Sequence, residues 1–179
     1  TAAPPAPLLV VLHDSAENER SPLVDTSLQA QAAARGWVLV CPRGRGDGGY
    51  QGPGERDVID VIDAVRGAVP VDGRRLYLTG SGMGGTGTWL LALRHPDLFA
   101  AATIVSGYGD LDQSGIFEAL HYTEAERAWF DAHNPQRLVR PELVTAFRIA
   151  HAERDPVVSS GHGRILQARL AEVGLPSEF

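Results

Sequence analysis

The segment Leu76-Tyr77-Leu78-Thr79-Gly80-Ser81-Gly82-Met83-Gly84-Gly85 constrains this chain more than any other. A short apolar run passes through four glycines in six residues into a helical stretch from Thr86 to His95, which Pro96 closes. A strand that turns so tightly into a helix is the front half of a strand–helix–strand crossover. The rest of the chain keeps that rhythm. Leu8 to Leu12 and Trp37 to Cys41 are continuous apolar runs, as expected of strands buried on both faces. Arg75 to Thr79, Ala101 to Val105 and Leu143 to Ala150 continue the series. Between them lie helical spacings over Ser21 to Arg35 (ending at Gly36), Glu55 to Val69, and Ser159 to Val173. The pattern predicts an α/β fold with a parallel sheet flanked by helices.

Two segments stand outside the alternation. Pro42 to Gly54 holds six glycines and two prolines and reads as a loop. Gly107 to Pro141 is a polar and aromatic excursion with one expected helix near Thr123 to His133. Thr1 to Pro7 is Ala/Pro-rich and has no basic n-region, so it reads as a linker rather than a signal peptide, ahead of one domain over residues 8–179. A secreted form would carry its signal elsewhere.

Composition excludes several function classes. The net charge is −6 with 22 acidic residues, which argues against a nucleic-acid surface, since that would need a basic face. No apolar run approaches the roughly 20 residues of a membrane span. The single cysteine, Cys41, excludes an internal disulfide and reads as a small core residue.

The glycine-rich turn has two readings. Gly80, Gly82 and Gly85 satisfy a G-x-G-x-x-G phosphate cradle, which would make this a nucleotide-binding domain. That fingerprint normally follows the first strand of its unit, and this is the third. The acid expected some 20 residues on is also absent, since the next strand ends Val105-Ser106-Gly107. The other reading is G-x-S-x-G, in which glycines two positions either side of a nucleophile make room for a strained turn. Gly80 and Gly84 hold the flanks, and Gly82 stands where the serine belongs.

Flanking residues support the second register. Tyr77-Leu78-Thr79-Gly80, Met83-Gly84-Gly85 and Gly87-Thr88-Trp89 resemble the nucleophile elbow of α/β-hydrolases of the polyhydroxybutyrate-depolymerase, feruloyl-esterase and prolyl-oligopeptidase kinds. Leu9-Val10-Val11-Leu12-His13 resembles the strand that leads to the His-Gly oxyanion loop. Arg43-Gly44-Arg45-Gly46-Asp47-Gly48-Gly49-Tyr50 with Glu55-Arg56-Asp57-Val58 resembles the loop and helix before the elbow strand. His95-Pro96-Asp97-Leu98-Phe99 resembles the link out of the elbow helix. His151-Ala152-Glu153-Arg154-Asp155-Pro156-Val157-Val158 resembles the turn carrying the triad acid, which maps to Asp155. The resemblance implies an α/β-hydrolase fold with a lid in the excursion. It also implies acyl-enzyme chemistry on a small ester or peptide-like ligand, with no metal or organic cofactor. Tyr108, Phe117, Tyr122, Trp129 and Phe130 are then candidates for an acyl or aryl pocket.

Against that template the chain departs at three places. Gly82 has no side chain at the nucleophile position. Ser81 is the fallback, but its own flanks are Thr79 and Met83, so it is expected to point elsewhere as a turn residue. The base lies on a loop after the last strand in the family, and Ser177-Glu178-Phe179 resembles that strand's beginning. His162 is the fallback base and is expected as a surface histidine near a helix start. His121, His133 and Glu124 match no standard metal spacing. Finally, the glycine after His13 is Asp14. A carboxylate there opposes an oxyanion at the scale of one donor, about 3–4 kcal/mol, unless it points outward and caps Ser15 to Asn18. The Met83 N–H, the other expected oxyanion donor, survives the change at Gly82. The expectation is a hydrolase scaffold with impaired acyl transfer.

Overall fold

The computed structural model describes residues 4–112 and 123–179. The strands are β1 (Ala6–Leu12), β2 (Val38–Val40), β3 (Val71–Ser81), β4 (Ala101–Val105), β5 (Ala146–Ala150) and β6 (Ser177–Glu178). The helices are α1 (Ser21–Val24), α2 (Leu28–Ala34), α3 (Pro53–Ala68), α4 (Met83–Arg94), α5 (Glu124–His133), α6 (Pro135–Leu138) and α7 (Gly161–Glu172). All strands pair in parallel in the order β2-β1-β3-β4-β5-β6. This is the sheet the alternation predicts, flanked by helices in the α/β-hydrolase manner.

Local chemistry explains where the boundaries differ. The helix expected over Ser21 to Arg35 is two, because the Thr26 hydroxyl donates to the Pro22 carbonyl at 2.7 Å and accepts from the Leu28 N–H at 3.1 Å. A threonine side chain serving the backbone in this way competes with helix continuation. α3 begins at Pro53 rather than Glu55, since proline suits the first turn, where its missing N–H is no loss. β2 is half-buried rather than buried on both faces, because it is the sheet edge and pairs with β1 alone. Ala6 and Pro7 belong to β1.

α4 is the centre of the molecule. Every residue from Gly84 to Leu93 is buried, so this helix is covered all round rather than along one stripe. Trp89 is fully buried and stacks on Phe147 of β5 with ring centroids 5.3 Å apart. Its truncation would cost about 3–5 kcal/mol. The glycine-rich loop before α3 is pinned by Tyr50, which is fully buried and donates its hydroxyl to the His13 carbonyl at 3.2 Å. Glu55 of α3 accepts from Arg94 at 2.5 Å and pairs with His95 Nε2 at 2.9 Å, tying α3 to the far end of α4. Burial pushes the Glu55 carboxyl upward, but the His95 and Arg94 contacts outweigh it and hold it below its ordinary value.

Candidate active site

Chain order along the sheet reverses at β1, which sits between β2 and β3. Ligands of open α/β sheets bind beyond the carboxyl ends of the strands at such a reversal. Leu12 of β1 pairs with Gly80 of β3, and Ser81 pairs with Val105 of β4. Three strand ends therefore deliver Asp14, Gly82 and Ser106 to one place. Val105 also pairs with Ala150 of β5, which brings in the turn that carries Asp155. All four residues line one pocket of about 900 Å³, together with Met83, Tyr108, Trp129 and Phe130.

The turn between β3 and α4 has the expected elbow geometry. Gly82 lies at φ 54° and ψ −114°, in a region that side chains enter only under strain. The flanking glycine Gly84 is there for space, since a Cβ on it would overlap the carbonyls of Leu12 and His13. The Gly82 N–H donates to Val105 O at 3.0 Å, so the turn is fixed to the neighbouring strand.

What fills the elbow is Asp14. Its Oδ1 accepts from the Met83 N–H at 2.7 Å and from the Ser15 N–H at 2.7 Å. A Cβ added at Gly82 would overlap both Asp14 oxygens and their carbon. The carboxylate thus stands where a side chain of residue 82 would begin, and it takes the N–H donor at the start of α4. The outward cap over Ser15 to Asn18 is corrected by these contacts. Ser15 is bonded, but the side chain turns inward because a charge-assisted bond to an otherwise unpaired helix-terminal N–H draws it there. The Asp14 N–H donates to Glu17, which holds the loop in place. A phosphate seated at this helix start would meet the Asp14 carboxylate, so the nucleotide reading is not favoured.

Asp155 sits across the pocket in a complete set of contacts. It accepts from the N–H groups of Val157 and Val158 at 2.9 Å each, and from the side chain of Ser106. The Val158 and Val157 donors, then Ser106, draw its carboxyl down to about 2. Ser106, at φ 48°, was not singled out from the sequence. Only the pairing of β4 beside the elbow brings it to the acid. His151 is 3.7 Å from Asp155, but its Nε2 faces the Val158 carbonyl at 2.7 Å and its side chain is only 1% exposed. It packs behind the turn.

The two fallback residues lie in different surroundings. Ser81 is exposed and borders the main pocket as well as a smaller groove beside β1. The nearby His13 cannot serve it as a base, because both ring nitrogens face backbone carbonyls, Asp14 O at 2.8 Å and Arg43 O at 3.0 Å. His162 is corrected from a surface residue to a buried one, 5% exposed, edge-on to Tyr108. It accepts from the Asp110 N–H at 3.4 Å, and burial pushes its pKa down. α7 packs one face against α6, β5 and β6, and His162 belongs to that buried face. No histidine lines the pocket among the described residues. His121, Phe117 and Tyr122 lie outside the described residues. Among those described, no cluster of three or more potential ligands could hold a metal, and no helix is long and apolar enough to cross a membrane.

The chain has known relatives in sequence and in fold. A sequence model of the prolyl oligopeptidase family matches residues 24–170. The chain is 31% identical over 109 residues to a bifunctional acetylxylan esterase/xylanase, XynS20E, of Neocallimastix patriciarum, covering 59% of this chain and 16% of that protein. It is 27% identical over 173 residues to NocK of Nocardia uniformis subsp. tsuyamanensis, provisionally named an esterase, covering 79% of this chain and 50% of that one. The chain thus spans half or less of the length of these curated relatives. Among solved structures, the fluorophosphonate-binding serine hydrolase FphF of Staphylococcus aureus superposes with a TM-score of 0.82 at 18% identity, covering 100% of this chain and 76% of that one. The last likeness establishes a shared fold.

Proposed function

This chain belongs to the prolyl oligopeptidase family, and on that premise we propose that it keeps the family's ligand pocket but does not run acyl transfer at residue 82. The carrying observation is the Asp14 carboxylate, bonded to the Met83 and Ser15 N–H groups in the space of the missing side chain. Acyl transfer needs a nucleophilic oxygen at the elbow and free donors for the oxyanion. Here Gly82 supplies no oxygen, and the Met83 donor is already paired with a negative charge. Loss of an elbow serine costs about a millionfold in kcat, and loss of one oxyanion donor a further 10²–10³-fold, roughly. The described pocket is aromatic on one side, which suits a small ester- or peptide-like ligand held without turnover.

The test is hydrolysis of p-nitrophenyl acyl esters by the full-length protein, with fluorophosphonate labelling alongside. Neither turnover nor label is expected. Turnover that a fluorophosphonate abolishes would sink the reading, and Ser81 would then be the first residue to examine. Gly82→Ser alone is expected to restore nothing, because the new side chain meets Asp14. Gly82→Ser with Asp14→Gly clears both obstacles and regains fluorophosphonate labelling if the rest of the machinery is present.

A further inference from the structure

We infer that Asp14 is itself a nucleophile, directed at saturated carbon that bears a leaving group rather than at carbonyls. The inference rests on the reading that Asp14 occupies the place of the elbow side chain. Its two oxygens have different surroundings. Oδ1 is fixed by two backbone N–H groups at 2.7 Å, whereas Oδ2 accepts no hydrogen bond among the described residues. A carboxylate clamped through one oxygen presents the other in a constant direction, beside a pocket of about 900 Å³ with Tyr108, Trp129 and Phe130 in its wall. The Asp14 N–H bond to Glu17 and the Ala16 N–H bond to Asp47 at 3.1 Å hold the loop that carries it.

Displacement at saturated carbon suits this arrangement, whereas acyl transfer does not. Oδ2 forms a bond to the carbon, the bond from carbon to the leaving group breaks, and a halide departs with the bonding pair. No proton moves and no new oxyanion forms, so an occupied donor pair is no obstacle. The product is an ester of Asp14. Its carbonyl oxygen, Oδ1, is still held by the Met83 and Ser15 N–H groups, the position those donors would need to stabilise attack by water on that ester. No histidine lines the pocket among the described residues to activate that water. The covalent step reads as one alkyl label per chain.

The experiment incubates the full-length protein with 1-bromobutane and follows intact mass, with fragmentation to locate the label and hydroxylamine to test for an ester. The expected result is one butyl group on Asp14, released by hydroxylamine, absent from Asp14→Asn and unchanged in Asp60→Asn. Gly82→Ala, whose methyl overlaps the carboxylate, also loses the label, and fragmentation of the wild-type adduct, which places the butyl group on Asp14 or elsewhere, decides the matter should either variant fail to melt cooperatively. No adduct, a label that survives Asp14→Asn, or a hydroxylamine-stable label on Cys41 or Met83 would overturn the inference. Ester hydrolysis is read separately with p-nitrophenyl acetate. Turnover there defeats the proposed function, whereas missing butyl label without turnover defeats this inference alone.

Discussion

Two turns face each other across the pocket, and they have fared differently. The turn after β5 keeps both backbone and side chain, since Asp155 is held by two N–H groups and Ser106. The turn after β3 has a strained backbone at Gly82, with the Asp14 carboxylate where a side chain of residue 82 would stand. Backbone shape at the elbow is part of the core, because Gly84 packs against the carbonyls after β1 and starts a wholly buried helix. A change there is felt by the whole sheet. A side chain on residue 82 would meet the Asp14 carboxylate rather than the sheet, so its absence costs the fold little. Scaffold and chemistry are thus separately replaceable at one turn.

Substitutions at the elbow break this comparison most sharply. Gly84→Val drives side-chain atoms into the backbone of Leu12 and His13 and should cost more than about 4 kcal/mol. Loss of a cooperative thermal transition would register it. Gly82→Ala should be next, at roughly 2–4 kcal/mol, from strained backbone and displacement of Asp14. A double-mutant cycle with Asp14→Gly sharpens the point: denaturant titrations should recover on the order of 1–2 kcal/mol of coupling, and simple additivity would mean the two residues do not compete for space.

Asp14→Asn alone should be milder, about 1–2 kcal/mol by chemical denaturation, since it weakens two charge-assisted bonds without removing the acceptor. The smallest effect at neutral pH belongs to Asp155→Asn. Its folded carboxyl titrates near 2 instead of 3.8, so its contribution is present above 3.8 and is lost as pH falls through about 2. Melting curves of the wild type should therefore drop more steeply over that interval than those of Asp155→Asn. Parallel acid limbs would show that the acid turn is no better held than the elbow.

Much of the fold was legible because its signals are local. Apolar runs, helical spacings and Gly36 or Pro96 as stops depend on a few neighbours each, and they pointed to the parallel sheet with boundary shifts of a few residues. The capping box at α5, with Thr123 and Glu126 exchanging bonds, is equally local and matches the expected start near Thr123. The misjudged residues were those whose surroundings come from afar. His162 reads as a surface histidine by its helix position, but the approach of Tyr108 and Asp110 buries it. Ser106 carries no motif, and β4 pairing alone sets it beside the acid.

By itself the sequence determined the parallel sheet and the tight turn through Gly80 and Gly84. Each follows from steric or periodic demands within a short stretch. Only the tertiary structure decided which way Asp14 points. Its partner, the Met83 N–H, lies 69 residues on, and an unpaired donor at a helix start outcompetes solvent for a carboxylate brought within reach. No local pattern around His13 and Ser15 could encode that choice, because it depends on residue 82 having no side chain.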